Sequence, residues 1–263
     1  MASTMVDIVY PAVIAAARAW FKLGDVQITM TGQEHIPTEG GALLAVNHLS
    51  FVDYIMAGYP AAERGRLTRF MAKREVFDHP VGGPVMRSFH HISVDRASGA
   101  EGMMVAARKL KEGEVVGIFP EATLSRSFVV KELKTGAVRI AADAGVPLIP
   151  VVLFGTQRIL TKGRKLDLSR HTPVAIEVGE PMPLTGDPVA DTAELKRRMD
   201  EMLDRLITNY PDKEPGAWWL PKAYGGGAPS LEEADAMYVE ERRLRAEKKA
   251  SKRAAAAKKG KKK

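Results

Sequence analysis

The chain has 263 residues, 45% of them apolar, which is enough to fill the core of one main domain with appendages. It contains no cysteine, which excludes disulfide scaffolds, thiolate zinc sites and cysteine nucleophiles and suits a reducing compartment. The net charge is +7, but residues 242–263 carry 12 Lys or Arg against one Glu, so residues 1–241 are net acidic at −4.

The N-terminal residues 1–24 predict an amphipathic helix, over residues 8–23, that ends in aromatic side chains. Trp20 and Phe21 stand beside Arg18 and Lys22, a pattern typical of a helix lying on a membrane, although packing against the body is the alternative. The apolar run at residues 8–17 is shorter than the roughly 20 residues that span a bilayer. It also lacks the preceding basic residue of a signal peptide, so we expect the protein to stay inside the cell.

Residues 25–211 alternate between short apolar runs and helical segments. Strand patterns occur at residues 26–30, 42–46, 90–94, 114–119, 147–154 and 173–178; helical patterns occur near 51–58, 98–112, 134–144 and 192–209. Strands that alternate with helices predict an α/β fold, with a single mixed, largely parallel sheet flanked by helices. Ligands of such sheets bind at the carboxyl ends of the strands.

The C-terminal extension, residues 212–263, contains a glycine-rich break at 225–229. Ser230 and Glu233 then form a capping box, and the helix that they start becomes a basic tail, helical or disordered, rich in lysine and alanine. Trp218 and Trp219, before the break, suit a membrane interface, with packing on the body as the alternative.

The stretch NHLSFVD, residues 47–53, places a histidine and an aspartate five residues apart after a buried strand. Positions five apart do not meet on a regular helix, so His48 must lie in the loop if it is to reach Asp53. Ser50 as N-cap would put Asp53 at the third helical position and allow the contact. The carboxylate would then orient the imidazole as a base for an alcohol. Alternatively, Asp53 only caps the helix.

A second group of polar residues follows another strand in the stretch GIFPEATLSRS, residues 117–127. Glu121, Thr123 and Arg126 are placed there to meet a ligand, unless the segment is an ordinary solvated loop. Arg96 follows the strand at 90–94, and Lys131 comes shortly after the loop. Guanidinium and ammonium groups that converge at strand ends suit phosphate, although any one of them alone is more often a surface cation.

These stretches together resemble a known family. NHLSFVD resembles the His-x4-Asp motif of the glycerophospholipid acyltransferases of the 1-acylglycerol-3-phosphate acyltransferase group. AKREVF, which contains Lys73, resembles the segment after that motif; ISVDR resembles the block that ends in arginine; FPEAT resembles the Phe-Pro-Glu-Gly-Thr block; VPLIPVVLFG resembles the proline-containing hydrophobic block. The blocks keep their order over about residues 41–155.

The resemblance implies acyl transfer from acyl-CoA or acyl carrier protein to the free hydroxyl of lysophosphatidate, giving phosphatidate. His48 would take the hydroxyl proton, and Asp53 would orient the imidazole of His48. Neither a metal nor any cofactor beyond the acyl donor would be needed. The implied substrate-binding residues are Lys73, Arg96, Glu121, Thr123, Arg126 and Lys131. Two positions depart from the family pattern: Ala122 replaces a glycine, and Leu124 replaces the usual arginine, so either Arg126 or Lys131 would hold the phosphate.

Alternatives to this function remain at the level of the sequence. A related acyltransferase would use glycerol 3-phosphate or another lysophospholipid as acceptor. A protein of another class would bind membranes or nucleic acid through the basic tail, without catalysis. For the acyltransferase we expect peripheral attachment to the cytoplasmic side of the cell membrane and no specific nucleic acid partner. The sequence predicts no oligomeric state.

Overall fold

The computed structural model describes residues 9–80, 82–95 and 99–260. Its strands are β1 (Gln27–Thr31), β2 (Ala42–Val46), β3 (Thr68–Lys73), β4 (Ile92–Val94), β5 (Val115–Ile118), β6 (Leu148–Phe154) and β7 (Pro173–Val178). Its helices are α1 (Val9–Leu23), α2 (Asp53–Glu63), α3 (Arg74–Phe77), α4 (Gly82–Ser88), α5 (Gly99–Lys111), α6 (Gly136–Ala144), α7 (Pro188–Thr208) and α8 (Leu231–Gly260). Within these residues the strands form one sheet in the order β1-β7-β6-β2-β5-β3-β4.

The sheet is mixed and largely parallel, which confirms the predicted fold class. Strand β2 pairs in parallel with β5 and β6, and β3 pairs in parallel with β4 and β5. Only β6 and β7 pair antiparallel, so β7 and its parallel partner β1 run against the other five strands. The carboxyl ends of β2 to β6 therefore share one edge of the sheet.

Helices cover both faces of the sheet, and β2 shows why its sequence is apolar throughout. Leu43 and Ala45 belong to the core formed with α5, α6 and α7, whereas Leu44 and Val46 belong to the opposite core with α1 and α2. Because successive side chains of a strand point to opposite faces, a strand covered on both sides needs an unbroken apolar run. The same reason accounts for β6.

Several elements differ from the sequence predictions, which include neither α3 nor α4. Strand β3 was not predicted, because its charged residues hide the strand pattern; Arg69 is nevertheless buried, and it donates to Glu114 Oε2 at 2.5 Å and to the carbonyl of Phe89 at 3.1 Å. Helix α7 begins at Pro188, earlier than predicted. The carboxylate of Asp187 accepts the N–H groups of Val189 and Ala190 and so caps the helix there.

The terminal segments both contact the body of the protein. Phe21, near the end of α1, is buried and packs edge-to-face on Tyr59 at 5.6 Å between ring centroids. Trp219 is also buried, against Phe154 and Tyr210, so it packs on the body rather than at a free surface.

Helix α8 begins with the predicted capping box. The Ser230 N–H donates to the Glu233 carboxylate at 2.7 Å, and the Glu233 N–H donates to the Ser230 hydroxyl at 3.1 Å. The helix then continues to Gly260. None of the helices in the described ranges combines the length and apolarity needed to cross a bilayer.

Candidate active site

The site begins where β2 ends. Asn47, the residue after the strand, is fully buried, and its side chain donates to the Leu153 carbonyl at 2.9 Å and accepts the Leu153 N–H at 2.8 Å. The backbone N–H of Asn47 also donates to the Val151 carbonyl at 3.3 Å, so Asn47 fastens the end of β2 to β6 through backbone and side chain. The strand has ended at Val46, and the chain leaves the sheet at His48, at the carboxyl edge.

His48 and Asp53, hereafter the dyad, are in contact. His48 Nδ1 lies 2.9 Å from Asp53 Oδ2, and the same oxygen accepts the N–H groups of Leu49 at 2.6 Å and Ser50 at 2.7 Å. The other oxygen, Oδ1, accepts the Thr156 hydroxyl at 2.6 Å. Four donors thus satisfy a carboxylate that is fully buried. Because an ionised carboxylate only accepts, Nδ1 carries the imidazole proton and Nε2 holds the lone pair.

The contact is achieved by a different local geometry from the one predicted. Helix α2 begins at Asp53, not at Ser50, after a turn at Phe51 and Val52. The Ser50 hydroxyl accepts the Val52 N–H at 3.1 Å and donates to the Leu160 carbonyl at 2.5 Å, so it fixes the turn rather than the helix. The prediction that Asp53 is the third helical residue was wrong. Asp53 is the first residue of the helix, and its carboxylate folds back over the preceding loop and accepts the N–H groups of Leu49 and Ser50.

The imidazole of His48 lies against an aromatic wall. Its ring stacks on Phe119 with 4.2 Å between centroids and 24° between planes, and 22% of the side chain is exposed. Within the described residues, Nε2 has no hydrogen-bond partner. The stacked ring is thus held on one side by Phe119 and at Nδ1 by Asp53, which leaves Nε2 to meet a hydroxyl group from outside.

Glu121 lies behind the dyad loop. It is only 5% exposed, and its two oxygens accept the backbone N–H groups of His48 at 2.8 Å and Lys131 at 3.0 Å. Burial raises the pKa of Glu121 to about 7, although the two N–H groups and the charge of Lys131 oppose the shift. In this position the carboxylate joins the loop that contains His48 to the segment that contains Lys131. The contact of Glu121 with a substrate stays a prediction.

Thr123 and Lys131 contact each other beside that carboxylate. Lys131 Nζ donates to the Thr123 hydroxyl at 2.5 Å and lies 5.8 Å from the ring centroid of Tyr238, on α8. Burial lowers the pKa of Lys131, while the charges of Glu121 and Asp235 act in the opposite direction. Lys131 is thus a half-buried cation already engaged by a hydroxyl and by the C-terminal helix.

Arg126 lies next to His48 but faces α8. The N–H of Ser125 donates to the carbonyl of His48 at 2.7 Å, which places the following residue beside the dyad. Arg126 Nη2 donates to Glu241 Oε2 at 3.2 Å, while Nε is buried and has no partner among the described residues. One nitrogen of a guanidinium next to the dyad is therefore left without an acceptor.

Lys162 is a second cation at this point, and sequence analysis missed it. Its ammonium group also contacts Glu241 Oε2, and the hydroxyl of the preceding Thr161 donates to the Leu49 carbonyl at 2.7 Å. Burial favours a higher pKa for Glu241, but hydrogen bonds from Lys162 and Arg126 outweigh it and lower the pKa. We call Arg126 and Lys162 the cation pair. The only sequence signal for Lys162 is its place in a basic loop after β6.

The two remaining predicted residues lie further along the same edge or outside the described ranges. Lys73 ends β3 and pairs in register with Val94 of β4, two strands from β2 in the sheet. Arg96 lies outside the described residues. Across the described ranges, no group of three or more His, Asp or Glu side chains is arranged to hold a metal ion.

Fold and site together describe an α/β protein in which a histidine–carboxylate pair lies beside basic side chains at the carboxyl edge of the sheet. The model of the Acyltransferase family matches residues 27–154, which is the chain from β1 to the end of β6 and includes the dyad. These residues therefore form an acyltransferase domain, and the resemblance of the motifs to the glycerophospholipid acyltransferases is confirmed.

Several relatives share this region. A 1-acyl-sn-glycerol-3-phosphate acyltransferase of Bacillus subtilis is 29% identical over 187 residues, which cover 71% of this chain and 89% of the relative. Similarly named proteins of Limnanthes alba, 31% identical, and Chlamydomonas reinhardtii, 32% identical, match 68% and 60% of this chain. The matches span only 61% and 47% of those two relatives, so the chain covers about half the length of several relatives.

A solved structure has the same fold. The crystal structure of the 1-acyl-sn-glycerophosphate (LPA) acyltransferase PlsC from Thermotoga maritima superimposes with a TM-score of 0.60, covering 79% of this chain and 86% of that one. The sequence identity is 21%. At this identity the likeness establishes the architecture, and it agrees with the mixed sheet described above.

Proposed function

We propose that the protein is a 1-acylglycerol-3-phosphate O-acyltransferase, which moves a fatty acyl group from acyl-CoA or acyl carrier protein to the free hydroxyl of lysophosphatidate. The observation that carries the proposal is the dyad, since a buried carboxylate holds His48 Nδ1 at 2.9 Å and leaves Nε2 to accept a proton. The family match over the same residues and the names of the relatives support the choice of reaction.

In the proposed reaction, His48 Nε2 removes the proton of the acceptor hydroxyl as its oxygen attacks the thioester carbonyl carbon. A carbon–oxygen bond forms, the carbon–sulfur bond breaks, and the proton passes from the imidazolium to the leaving thiolate. The Asp53 carboxylate stabilises the imidazolium between these steps. General-base assistance of this kind contributes about 10²- to 10⁴-fold to the rate. The reaction needs neither a metal nor a cofactor other than the acyl donor.

Binding of the acceptor's phosphate is assigned to the basic side chains beside the dyad. Arg126 has a buried Nε without an acceptor in the described structure, and Lys162 extends toward the same point. A phosphate there would replace the Glu241 carboxylate as the partner of both cations. Lys131, Thr123, Lys73 and Arg96 are the other proposed contacts of the substrate, whereas Glu121 is proposed to act through the loops that it joins.

The proposed location is the surface of the cell membrane on its cytoplasmic side, because both acceptor and product are lipids. No helix of the described residues is long and apolar enough to cross a bilayer. Residues 248–263 contain nine Lys or Arg and no acid, and each such charge contributes on the order of 1 kcal/mol near an anionic surface. Deleting residues 248–263 leaves Glu241 and Arg245 in place. The variant is expected to bind anionic vesicles more weakly and with less dependence on salt, and to keep its acyl transfer to a detergent-dispersed acceptor.

The decisive experiment measures thioester cleavage and product formation with lysophosphatidate, glycerol 3-phosphate and an uncharged lysophospholipid as parallel acceptors. Wild-type protein is expected to prefer lysophosphatidate, and His48→Ala is expected to lose nearly all turnover while remaining folded. The matched control is His171→Ala, which removes an exposed histidine that also contacts an aspartate, Asp25, at 2.5 Å. Near-normal acylation by folded His48→Ala protein would contradict the mechanism, and preference for another acceptor would contradict the substrate.

A non-catalytic protein acting through its basic tail makes a different prediction in the same assay. Its wild-type form would cleave no thioester with any acceptor, yet it would still bind anionic vesicles or nucleic acid. Deletion of residues 248–263 would then remove the whole of its measurable function.

A further inference from the structure

We propose that Thr156 is a positioning residue that orients the Asp53 carboxylate, and thereby the His48 imidazole, for proton transfer. This inference rests on the proposed function, because it gives a third residue a role in the dyad. The observation behind it is the hydrogen bond of 2.6 Å from the Thr156 hydroxyl to Asp53 Oδ1, between two fully buried side chains. Its length is typical of a hydroxyl that donates to a charged carboxylate.

The two oxygens of Asp53 are held in unequal ways. Oδ2 accepts from His48 Nδ1 and from the backbone N–H groups of Leu49 and Ser50. Oδ1 accepts only from Thr156 among the described residues. Rotation of the carboxylate about its Cβ–Cγ bond moves both oxygens together. The hydroxyl at Oδ1 therefore resists the same rotation from the side opposite to the imidazole, and the plane of the carboxylate determines the direction of its bond to the imidazole.

The backbone places Thr156 with little freedom. The residue follows β6 through Gly155, whose φ of 100° belongs to the left-handed region that favours glycine. A Cβ at Gly155 would lie 2.3 Å from the carbonyl oxygen of Pro173, so a side chain there would displace the turn. The carbonyl of Thr156 accepts the N–H of Ile159 at 3.0 Å, which closes the turn that follows. The hydroxyl is thus presented to Asp53 by a rigid connection from the central sheet.

A second buried threonine supplies a matched control. Thr161 lies five residues further on, is 3% exposed, and donates its hydroxyl to the backbone carbonyl of Leu49 at 2.7 Å. It contacts the same loop as Thr156 but not the carboxylate. Loss of either hydroxyl removes a buried hydrogen bond of the dyad loop, whereas only loss of the Thr156 hydroxyl changes the acceptor that holds His48.

The test compares Thr156→Val with Thr161→Val in steady-state acylation of lysophosphatidate and in denaturant unfolding. Thr156→Val is expected to lower kcat roughly tenfold to a hundredfold with little change in the acceptor KM, as expected for losing a hydrogen bond to a charged group. Thr161→Val is expected to unfold at lower denaturant concentration while its kcat and acceptor KM stay close to those of the wild type.

Two further variants keep the test decisive if the valine does not fold. Thr156→Ser and Thr156→Cys are close in size but differ in the strength of the donor, so the serine variant is expected to recover most of kcat and the cysteine variant is not. Equal kcat values for these two, or a folded Thr156→Val with kcat within twofold of wild type, would overturn the inference.

A readout without activity separates this inference from the proposed function. In the wild type, the Nδ1 proton of His48 is expected to give a slowly exchanging NMR resonance, and in Thr156→Val to exchange faster with water. If wild-type protein acylates none of the acceptors, the proposed function fails, yet this comparison still tests the positioning role. An unchanged resonance in Thr156→Val would overturn it.

Discussion

The dyad and the cation pair both lie on connections at the carboxyl edge of the sheet, but they are held in different ways. Asp53 takes three of its four hydrogen bonds from residues within five positions of itself, two of them backbone N–H groups. The cation pair is held by Glu241, a residue of α8 that lies 115 positions from Arg126 in the chain. The first arrangement is mostly local, with only the Thr156 hydroxyl coming from a distant part of the chain, whereas the second has its anion supplied by another part of the protein.

This difference separates the two tasks of the proposed enzyme. A base must keep one geometry in every cycle, so fixed backbone donors and a buried carboxylate suit it. A site for a charged substrate must exchange its anion, so a side-chain carboxylate on a peripheral helix suits it. Substitutions at the dyad are therefore expected to change turnover, and substitutions at the cation pair are expected to change the affinity for the acceptor.

The largest effect is expected from Asp53→Asn. The asparagine oxygen can take the place of Oδ2 and still accept from His48, but the negative charge that stabilises the imidazolium is lost. We expect kcat to fall by about 10²- to 10⁴-fold with the acceptor KM nearly unchanged. Asp25→Asn, in the exposed pair with His171, is the control and should keep full activity. A folded Asp53→Asn protein within tenfold of wild type would show that the charge is dispensable.

A second effect concerns Glu121, which holds the dyad loop. Burial raises its pKa from 4.5 to about 7, so the folded protein binds this proton more tightly than the unfolded chain. The contribution to stability is present below pH 4.5 and is lost as the pH rises to about 7, by on the order of 3 kcal/mol. Glu121→Gln cannot titrate, so its free energy of unfolding should not fall in this way as the pH rises. Denaturant unfolding of both proteins at pH 5 and pH 8 measures the difference.

The control for Glu121 is a carboxylate on the same segment that faces solvent. Glu132→Gln removes an exposed side chain and should leave the difference in stability between the two pH values as it is in the wild type. If Glu121→Gln and wild type lose equal stability between pH 5 and pH 8, the raised pKa of Glu121 is not the cause of the loss.

A smaller effect, on affinity, is expected at the cation pair. Glu241→Gln removes the charge that the acceptor's phosphate must displace, and we expect the acceptor KM to fall about threefold while kcat stays the same. Arg126→Ala should change KM in the opposite direction, by roughly tenfold or more. Glu240→Gln is the matched control, because its carboxylate pairs with Arg243 instead. A higher KM in Glu241→Gln would mean that α8 assembles the phosphate site rather than competing for it.

The sequence predicted the parts of the molecule that depend on neighbouring residues. The bounds of β2 and β7 follow from their apolar patterns, and the capping box of α8 from two residues three positions apart. The contact of His48 with Asp53 was one of two interpretations of their spacing, and the resemblance of the motifs to a known family favoured it, although the start of α2 was misplaced. In each case the physical signal lies within a few residues.

The missed features depend on contacts between distant parts of the chain. Thr156 reaches Asp53 only because β6 lies beside β2 in the sheet, and nothing near it in sequence marks its role. Lys162 and Glu241 meet because α8 returns to the carboxyl edge after a long connection. For Glu121 the contact with a substrate stays a prediction. Its two backbone partners, His48 and Lys131, could not be identified without the fold.

The smallest effect tests the link between the two regions, at Ala122. This residue stands between Glu121, which accepts the His48 N–H, and Thr123 beside Lys131, and its φ of 59° lies in the left-handed region. An L-residue pays about 1 kcal/mol or more there, whereas glycine does not. Because glycine also makes the unfolded chain more flexible, Ala122→Gly should leave the free energy of unfolding unchanged or raise it by up to about 1 kcal/mol.

The sign of the change makes Ala122→Gly informative, because an alanine in an ordinary helix behaves in the opposite way. Ala142→Gly, at an exposed position of α6, should lower the free energy of unfolding by about 0.5 to 1 kcal/mol. Equal losses in both variants would contradict a left-handed Ala122. Ala122→Gly can also keep its stability and its kcat but have a higher acceptor KM. That result would mean that the alanine helps to position Thr123 and Lys131 for the acceptor's phosphate, and that glycine makes this segment more flexible.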